Sequence, residues 1–160
     1  MPINVNPLPP KPVITAGGLT TFCEGDSVLL TSSDAVGYLW SDGKNTKNIY
    51  AKSSGSYTVN VTDANGCTSD ESDPVNITTI AGPAKPVITV TGKTEFCEGE
   101  STILTSSDGD AYIWSNGETT KTITVQSTGN YSLIVINEYG CQSEQSDPFT
   151  VTENPLPVKP

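Results

Sequence analysis

The sequence predicts an all-β protein made of two tandem β-sandwiches, each with about seven short strands. The first observation is a repeat, because residues 11–84 and 85–158 share 36 identities in 74 positions without an insertion or deletion. The second is the alternation, within each repeat, of short segments rich in Val, Ile, Thr and Tyr with clusters of Gly, Asn, Asp, Ser and Pro. A fixed period defines the folding unit before any strand is assigned.

The strands of the first repeat follow from this alternation and recur 74 positions later. Asp42-Gly43 and Asn65-Gly66 each follow a predicted strand and indicate hairpin turns. The expected strands are Val13–Thr15, a short edge strand at Thr20–Cys23, Ser27–Ser32, Tyr38–Ser41, Asn48–Lys52, Tyr57–Thr62 and Val75–Thr79.

The repeat also predicts the domain organisation. Residues 1–10 form a leading linker, 11–82 the first sandwich, 83–154 the second, and 155–160 the start of the next linker. Asn154–Pro160 reproduces most of Asn6–Pro12, 148 positions earlier. We therefore expect the chain to be a section of a longer array.

Aromatic residues that recur in both repeats are expected in the cores. A sandwich places its central indole in the middle of a strand, and residues two apart on a strand share one face. The predicted core aromatics are Tyr38, Trp40, Tyr57, Tyr112, Trp114 and Tyr131. Tyr50 and Tyr139 have no aromatic counterpart in the other repeat, so they are the candidates for exposed ligand contacts.

Composition excludes several functions. The net charge is −10 with only 8 basic residues, which disfavours binding to nucleic acid and to anionic membrane surfaces. The longest strongly apolar run, Leu133–Ile136, is far shorter than the roughly 20 residues of a membrane-spanning helix. The chain has no histidine, so the usual general base and metal ligand are missing. We expect a monomer without cofactors.

Carboxylates remain the candidate reactive groups. Glycoside hydrolysis by Glu24, Asp34 and Asp73 or their counterparts Glu98, Asp108 and Asp147 is the enzymatic alternative, but turn positions without a cleft favour structural roles. Calcium is a second alternative, since hard cations take oxygen ligands from loops. Its weak candidates are Asp70, Asp73, Glu144 and Asp147, whose spacing fits no EF-hand loop.

Three segments of the first repeat carry a family likeness. Cys23–Val28, Tyr38–Gly43 and Gly55–Cys67 resemble the immunoglobulin-like repeats of Bacteroidetes surface and secreted proteins, including gliding-motility adhesins. The likeness covers nearly all of residues 11–158. It implies a tandem, extracellular, immunoglobulin-like module exported to the cell surface, and it implies no catalytic residue.

The cysteines allow two disulfide arrangements. Two cysteines per repeat fit a small exported domain, and parity makes Cys23–Cys67 with Cys97–Cys141 the default. An immunoglobulin topology, however, places Cys23 and Cys67 at opposite ends of a sandwich, roughly 20 Å apart, whereas a disulfide needs Cα atoms within about 7 Å. The alternative is a bond between repeats, Cys23–Cys141, which leaves Cys67 and Cys97 for neighbouring repeats.

These observations predict a non-catalytic extracellular segment of a larger surface or secreted protein. Its function would be that of a spacer, stalk or adhesin part whose partners are neighbouring repeats. The alternative is a module that binds a polysaccharide or a surface protein through its loops or a sheet face.

Overall fold

The computed structural model describes residues 5–158. These residues form sixteen strands and no helix, which confirms the predicted all-β class. The chain divides into two compact units between Ile80 and Ala81. No helix in the described residues is long and apolar enough to cross a membrane.

The strands of each unit lie where the turn residues and the alternating pattern place them. The first unit contains β1 (Ile14–Ala16), β2 (Thr21–Cys23), β3 (Val28–Ser32), β4 (Gly37–Trp40), β5 (Asn48–Ala51), β6 (Gly55–Tyr57), β7 (Val59–Thr62) and β8 (Val75–Ile80). The second contains β9 (Ile88–Thr91), β10 (Glu95–Cys97), β11 (Thr102–Ser106), β12 (Ala111–Trp114), β13 (Thr122–Val125), β14 (Gly129–Tyr131), β15 (Leu133–Ile136) and β16 (Phe149–Asn154).

Two layers of strands build the first unit. One layer is the antiparallel sheet β1-β3-β5. In the other layer, β8 pairs with β6 and, in parallel, with β2, while β4 pairs with β7. β6 and β7 form the single strand expected at Tyr57–Thr62, interrupted only at Thr58. This strand therefore joins β8 through its first half and β4 through its second half. The second unit repeats this topology in β9 to β16.

Each unit buries its own core between the two layers. In the first unit the core combines Leu30 of β3, Ile49 of β5, Trp40 of β4, Val59 of β7 and Ile77 of β8. All five are at most 3% exposed. The second unit has a separate cluster with apolar residues at the same five positions. Two layers that share one interdigitated core constitute a β-sandwich.

The aromatic residues are fixed by hydrogen bonds at their polar ends. Trp40 is 2% exposed, and its Nε1 donates to the Thr46 carbonyl at 2.7 Å. Tyr57 is half-buried beside the core, and its hydroxyl donates to the Ser53 carbonyl at 3.1 Å. A tyrosine near the start of this strand with a bond to upstream backbone is typical of immunoglobulin-like sandwiches.

The other four predicted core aromatics occupy equivalent places. Trp114 is 1% exposed and donates to the Thr120 carbonyl, while Tyr38, Tyr112 and Tyr131 are half-buried against their cores.

Candidate functional site

The four cysteines are the chemically distinctive residues of the chain, and they exist in two states. Cys23 and Cys141 are disulfide-bonded. Cys67, which is half-buried, and Cys97, which is exposed, carry free thiols. The default pairing Cys23–Cys67 with Cys97–Cys141 is therefore corrected, because one member of each of those pairs is reduced.

The topology of the first unit explains why its two cysteines do not pair. Cys23 is the last residue of β2 and lies opposite Ile80, the last residue of β8. Cys67 follows the turn after β7, where Thr68 bridges to Thr62. The chain from position 68 to 80 runs along the sandwich for up to about 40 Å. The two cysteines thus lie at opposite ends of the unit, far beyond the Cα separation of about 7 Å that a disulfide spans.

An aspartate or asparagine fixes the turn before each second cysteine. In the first unit Asp63 accepts hydrogen bonds from the backbone N–H groups of Asn65 and Cys67, both at 2.9 Å. In the second unit Asn137 accepts from the N–H of Cys141 at 2.9 Å, and its side-chain amide donates to the Ala81 carbonyl at 3.1 Å. The turn that carries Cys141 is therefore attached to the leading segment of its own unit.

Gly82 lies against the residue that follows Cys141. A Cβ atom on Gly82 would lie 2.2 Å from the backbone oxygen of Gln142, so the position accepts only glycine without rearrangement. Leu8 and Leu156 occupy the equivalent positions of the other leading segments. The close approach at Gly82 accompanies the burial of Cys141, which is 2% exposed.

Asp34 and Asp108, two of the recurring carboxylates, form ion pairs at the surface. Lys47 contacts Asp34, and Lys121 contacts Asp108. The hydrogen bond and the charge of each lysine hold the pKa of its aspartate below the usual range, and the lysine pKa is raised in turn. These pairs connect neighbouring loops. The structure thus gives each of these two aspartates a lysine as its structural partner.

The acidic segments proposed for calcium contain the same kind of contact. Asp73 pairs with Lys11, and Asp147 pairs with Lys85, each at 2.6 Å. Within residues 5–158, no three or more acidic, cysteine or histidine side chains gather as a metal-binding group. Calcium binding by Asp70, Asp73, Glu144 or Asp147 stays a prediction, to be tested by melting with and without chelator.

Two serines of the acidic segment are the residues that sequence reasoning missed. Ser72 is 5% exposed, and its hydroxyl accepts a hydrogen bond from the N–H of Val59 at 3.0 Å. Ser69 does the same for Val61 at 3.0 Å. The hydroxyls thus extend the pairing of β7 beyond its regular partners. The pattern Ser-x-x-Ser-Asp-Pro, present in both repeats, is the signal that could have revealed them.

The two candidate ligand tyrosines are both exposed and lie in different settings. Tyr50 on β5 is 59% exposed and lines an open groove of about 650 Å³ in the first unit, together with Lys44, Lys52 and Tyr57. Tyr139 is 63% exposed at the turn after β15, where Asn137 fixes its backbone N–H.

Comparisons with known proteins identify no family. No model of a protein family matches the chain, and no curated protein matches it. The solved structures similar to it include a mouse coronavirus receptor-binding domain complexed with its murine receptor, at 15% identity and a TM-score of 0.46. That match covers 90% of this chain and 100% of the other. The human OSCAR ligand-binding domain matches at 13% identity and a TM-score of 0.40, covering 91% and 100%.

Proposed function

We propose that the chain is a non-catalytic spacer, a section of the stalk of a larger secreted or surface protein. The observation that carries this proposal is the correspondence between the two units. Core positions are apolar in both units, whereas Tyr50 and Tyr139, which differ between them, are exposed. The repeat therefore preserves the fold and leaves the surface free to vary.

Each unit is self-sufficient in a way that suits an array. The two cores share no residue, so a further unit adds length without repacking its neighbours. A disulfide supports an extracellular location, because disulfides persist in oxidising compartments. The likeness to Bacteroidetes surface repeats supports the same assignment. The ion-paired carboxylates at the ends of the units support the absence of catalysis.

The experiment measures how far an array of these units holds a reporter domain from a surface. Copies of the chain are joined in register, residues 1–160 followed by 13–160, because Lys159-Pro160 repeats Lys11-Pro12. The array is placed between a surface tag and a small reporter domain, and the distance of the reporter from the surface is measured by neutron reflectometry. A spacer should raise that distance by an equal increment per copy without changing the reporter's ligand affinity. A distance that does not grow contradicts the proposal.

The groove around Tyr50 favours binding of an acidic polysaccharide as a second candidate function. An exposed aromatic ring can stack on a sugar, and Lys52 lines the same groove together with Lys44, which is ion-paired with Asp42 at 2.8 Å. At the positions of Tyr50, Lys44 and Lys52 the second unit has threonine, glutamate and glutamine. The groove is therefore a feature of the first unit rather than of the repeat.

Retention on immobilised uronic-acid polymers tests this candidate. The protein should be retained in a salt-dependent manner, since its lysines would pair with sugar carboxylates. The matched variant carries Tyr50→Thr, Lys44→Glu and Lys52→Gln, which are the residues of the second unit, and it should not be retained. Equal elution of both proteins removes this candidate and leaves the spacer.

A further inference from the structure

The side of β5 that faces away from β3 is an open sheet edge in the first unit. Immunoglobulin sandwiches of the constant type have four strands in the layer that corresponds to β1-β3-β5. In this chain residues 41–47 connect β4 directly to β5, and none of the described strands pairs with β5 on that side. An open edge presents backbone N–H and C=O groups that can pair with another extended chain.

The register of the sheet identifies which backbone groups of β5 point to this edge. The N–H of Ser32 donates to the Lys47 carbonyl at 3.0 Å, so these two residues form a hydrogen-bonded pair. Such pairs alternate along an antiparallel ladder, and Ile49, two residues on, therefore directs its N–H and C=O groups to β3. Asn48 and Tyr50 direct theirs to the open edge.

The groove of about 650 Å³ runs along this edge. Its lining comes from the turn after β4, from β5 and from the segment that leads to β6. At the start of β5 the Thr46 hydroxyl donates to the Asn48 carbonyl at 2.7 Å. Beyond the end of β5 the Tyr57 hydroxyl donates to the Ser53 carbonyl at 3.1 Å. The N–H and C=O of Tyr50, between these two contacts, are the groups that an added strand would use.

This edge is basic although the chain is acidic. Three of the 8 basic residues, Lys44, Lys47 and Lys52, lie within nine positions, and residues 43–62 contain no Asp or Glu. Lys44 and Lys47 each pair with an aspartate. Within the part of the chain that the structure describes, no carboxylate pairs with Lys52. An acidic side chain opposite Lys52 would form a favourable cross-strand pair.

We propose that this edge of β5 binds an extended acidic segment of a partner protein, which adds a fourth strand to the β1-β3-β5 sheet. One residue of the segment exchanges two backbone hydrogen bonds with Tyr50, and an acidic side chain of the segment pairs with Lys52. The groove is the one considered for a polysaccharide, but here recognition depends on the backbone of β5 rather than on the tyrosine ring. The inference is independent of the spacer function.

The probe is a capped peptide of two glutamates followed by alternating valine and threonine. At saturation it should slow hydrogen exchange of the Tyr50 amide by about ten-fold or more in NMR spectra, whereas the Ile49 amide, already bonded to β3, should not change. A series of control peptides carries an N-methyl group on each residue in turn. Methylation should weaken binding by about ten-fold at every second residue only, because alternate N–H groups of the added strand point to β5.

Two substitutions separate the backbone of Tyr50 from its side chain. Tyr50→Thr introduces the residue of the second unit and keeps the N–H, so it should weaken peptide binding by at most about five-fold. Tyr50→Pro removes an N–H that the sheet does not use and should weaken binding by about ten-fold or more. Thr124→Pro makes the same change in β13, so it controls for folding, and it should leave the affinity unchanged.

Three results overturn the proposal. Equal losses for Tyr50→Thr and Tyr50→Pro assign the groove to side-chain recognition, as for a polysaccharide. N-methyl effects without a two-residue period exclude strand pairing without recourse to any protein variant. A Tyr50 amide that is already protected in a dimer of the free protein, seen by sedimentation, assigns the edge to a second copy. None of these results touches the spacer function, because the distance that an array provides does not depend on a ligand.

Discussion

The alternative pairing of the sequence analysis, Cys23–Cys141, predicts a mechanical effect that tests it: such a bond should limit how far the chain extends under force. When the protein is pulled from its two ends, the bond carries the load from position 23 to position 141. The roughly 117 residues between them then cannot extend, so the contour length at full extension is shorter by about 420 Å at ~3.6 Å per residue. The oxidised chain should release only its two end segments, about 150 Å, whereas the reduced chain should extend to nearly 580 Å.

Optical tweezers with handles on the two termini measure this difference directly. Contour length at full extension is compared before and after reduction with a phosphine. Cys23→Ser should extend like the reduced protein under all conditions. Cys67→Ser is the matched control, and it should keep the short extension of the oxidised protein because Cys67 is a free thiol. Equal contour lengths for the oxidised and the reduced protein would refute the reasoning.

The excluded loop contains most of both sandwiches. Strands β3 to β15 lie inside it, and only β1, β2 and β16 lie outside. Force can therefore remove β1, β2 and β16, the last of which lies between β10 and β14, but it cannot extend the chain from β3 to β15. A stalk built from such units would yield by a short, defined length and then resist until a covalent bond breaks or is reduced.

Three further predictions follow from single positions. The buried hydroxyls of Ser32 and Ser106 have no hydrogen-bond partner, so Ser32→Ala or Ser106→Ala should raise the free energy of unfolding by about 1 kcal/mol in urea titrations. Gly82→Ala should destabilise the second unit by about 1–3 kcal/mol, because its Cβ would lie 2.2 Å from a backbone oxygen, and should speed hydrogen exchange there. Lys47 lowers the pKa of Asp34. The stability that this ion pair contributes is therefore present above the pKa of the unfolded aspartate and is lost as pH falls through the pKa of the folded state. Lys47→Gln should lower the melting temperature slightly at pH 7 and not at pH 2.

The fold was predictable because its determinants are local. Turn glycines separate the strands, and Gly43 and Gly66 have φ values of 85° and 80°, which glycine adopts without strain. Alternation along Val28–Ser32 places residues 28, 30 and 32 in the core. Each of these signals can be compared between the two repeats, so a pattern that arises by chance in one repeat is recognised by its absence from the other.

The state of the cysteines was less predictable because it depends on connectivity. Composition and parity favour pairs within a unit, and only the position of strand ends contradicts them. That information arises when β2 pairs in parallel with β8, a contact between residues almost 60 positions apart. The sequence did indicate that Cys23 and Cys67 are too far apart in an immunoglobulin topology to form a disulfide. It could not establish the pairing, because no local pattern states where the edge strand β2 joins its sheet.

The hydrogen bonds of the buried serines were also not predictable from a local pattern, because each joins residues that are distant in sequence. They provide a specific test of stability. Ser72 accepts from the N–H of Val59, a residue without measurable exposure, and alanine would leave that donor buried and unpaired. The expected cost is about 1–3 kcal/mol, from a total of about 4–11 kcal/mol for a unit of this size. The neighbouring carboxylate of Asp73 is exposed and paired with Lys11, so Asp73→Asn should cost less than 1 kcal/mol. Urea unfolding followed by peptide-resolved hydrogen exchange assigns each loss of stability to one unit. Ser146→Ala, the equivalent substitution, should destabilise the second unit instead of the first. If Asp73→Asn destabilises the unit as much as Ser72→Ala, the acidic side chain and not the serine maintains this segment.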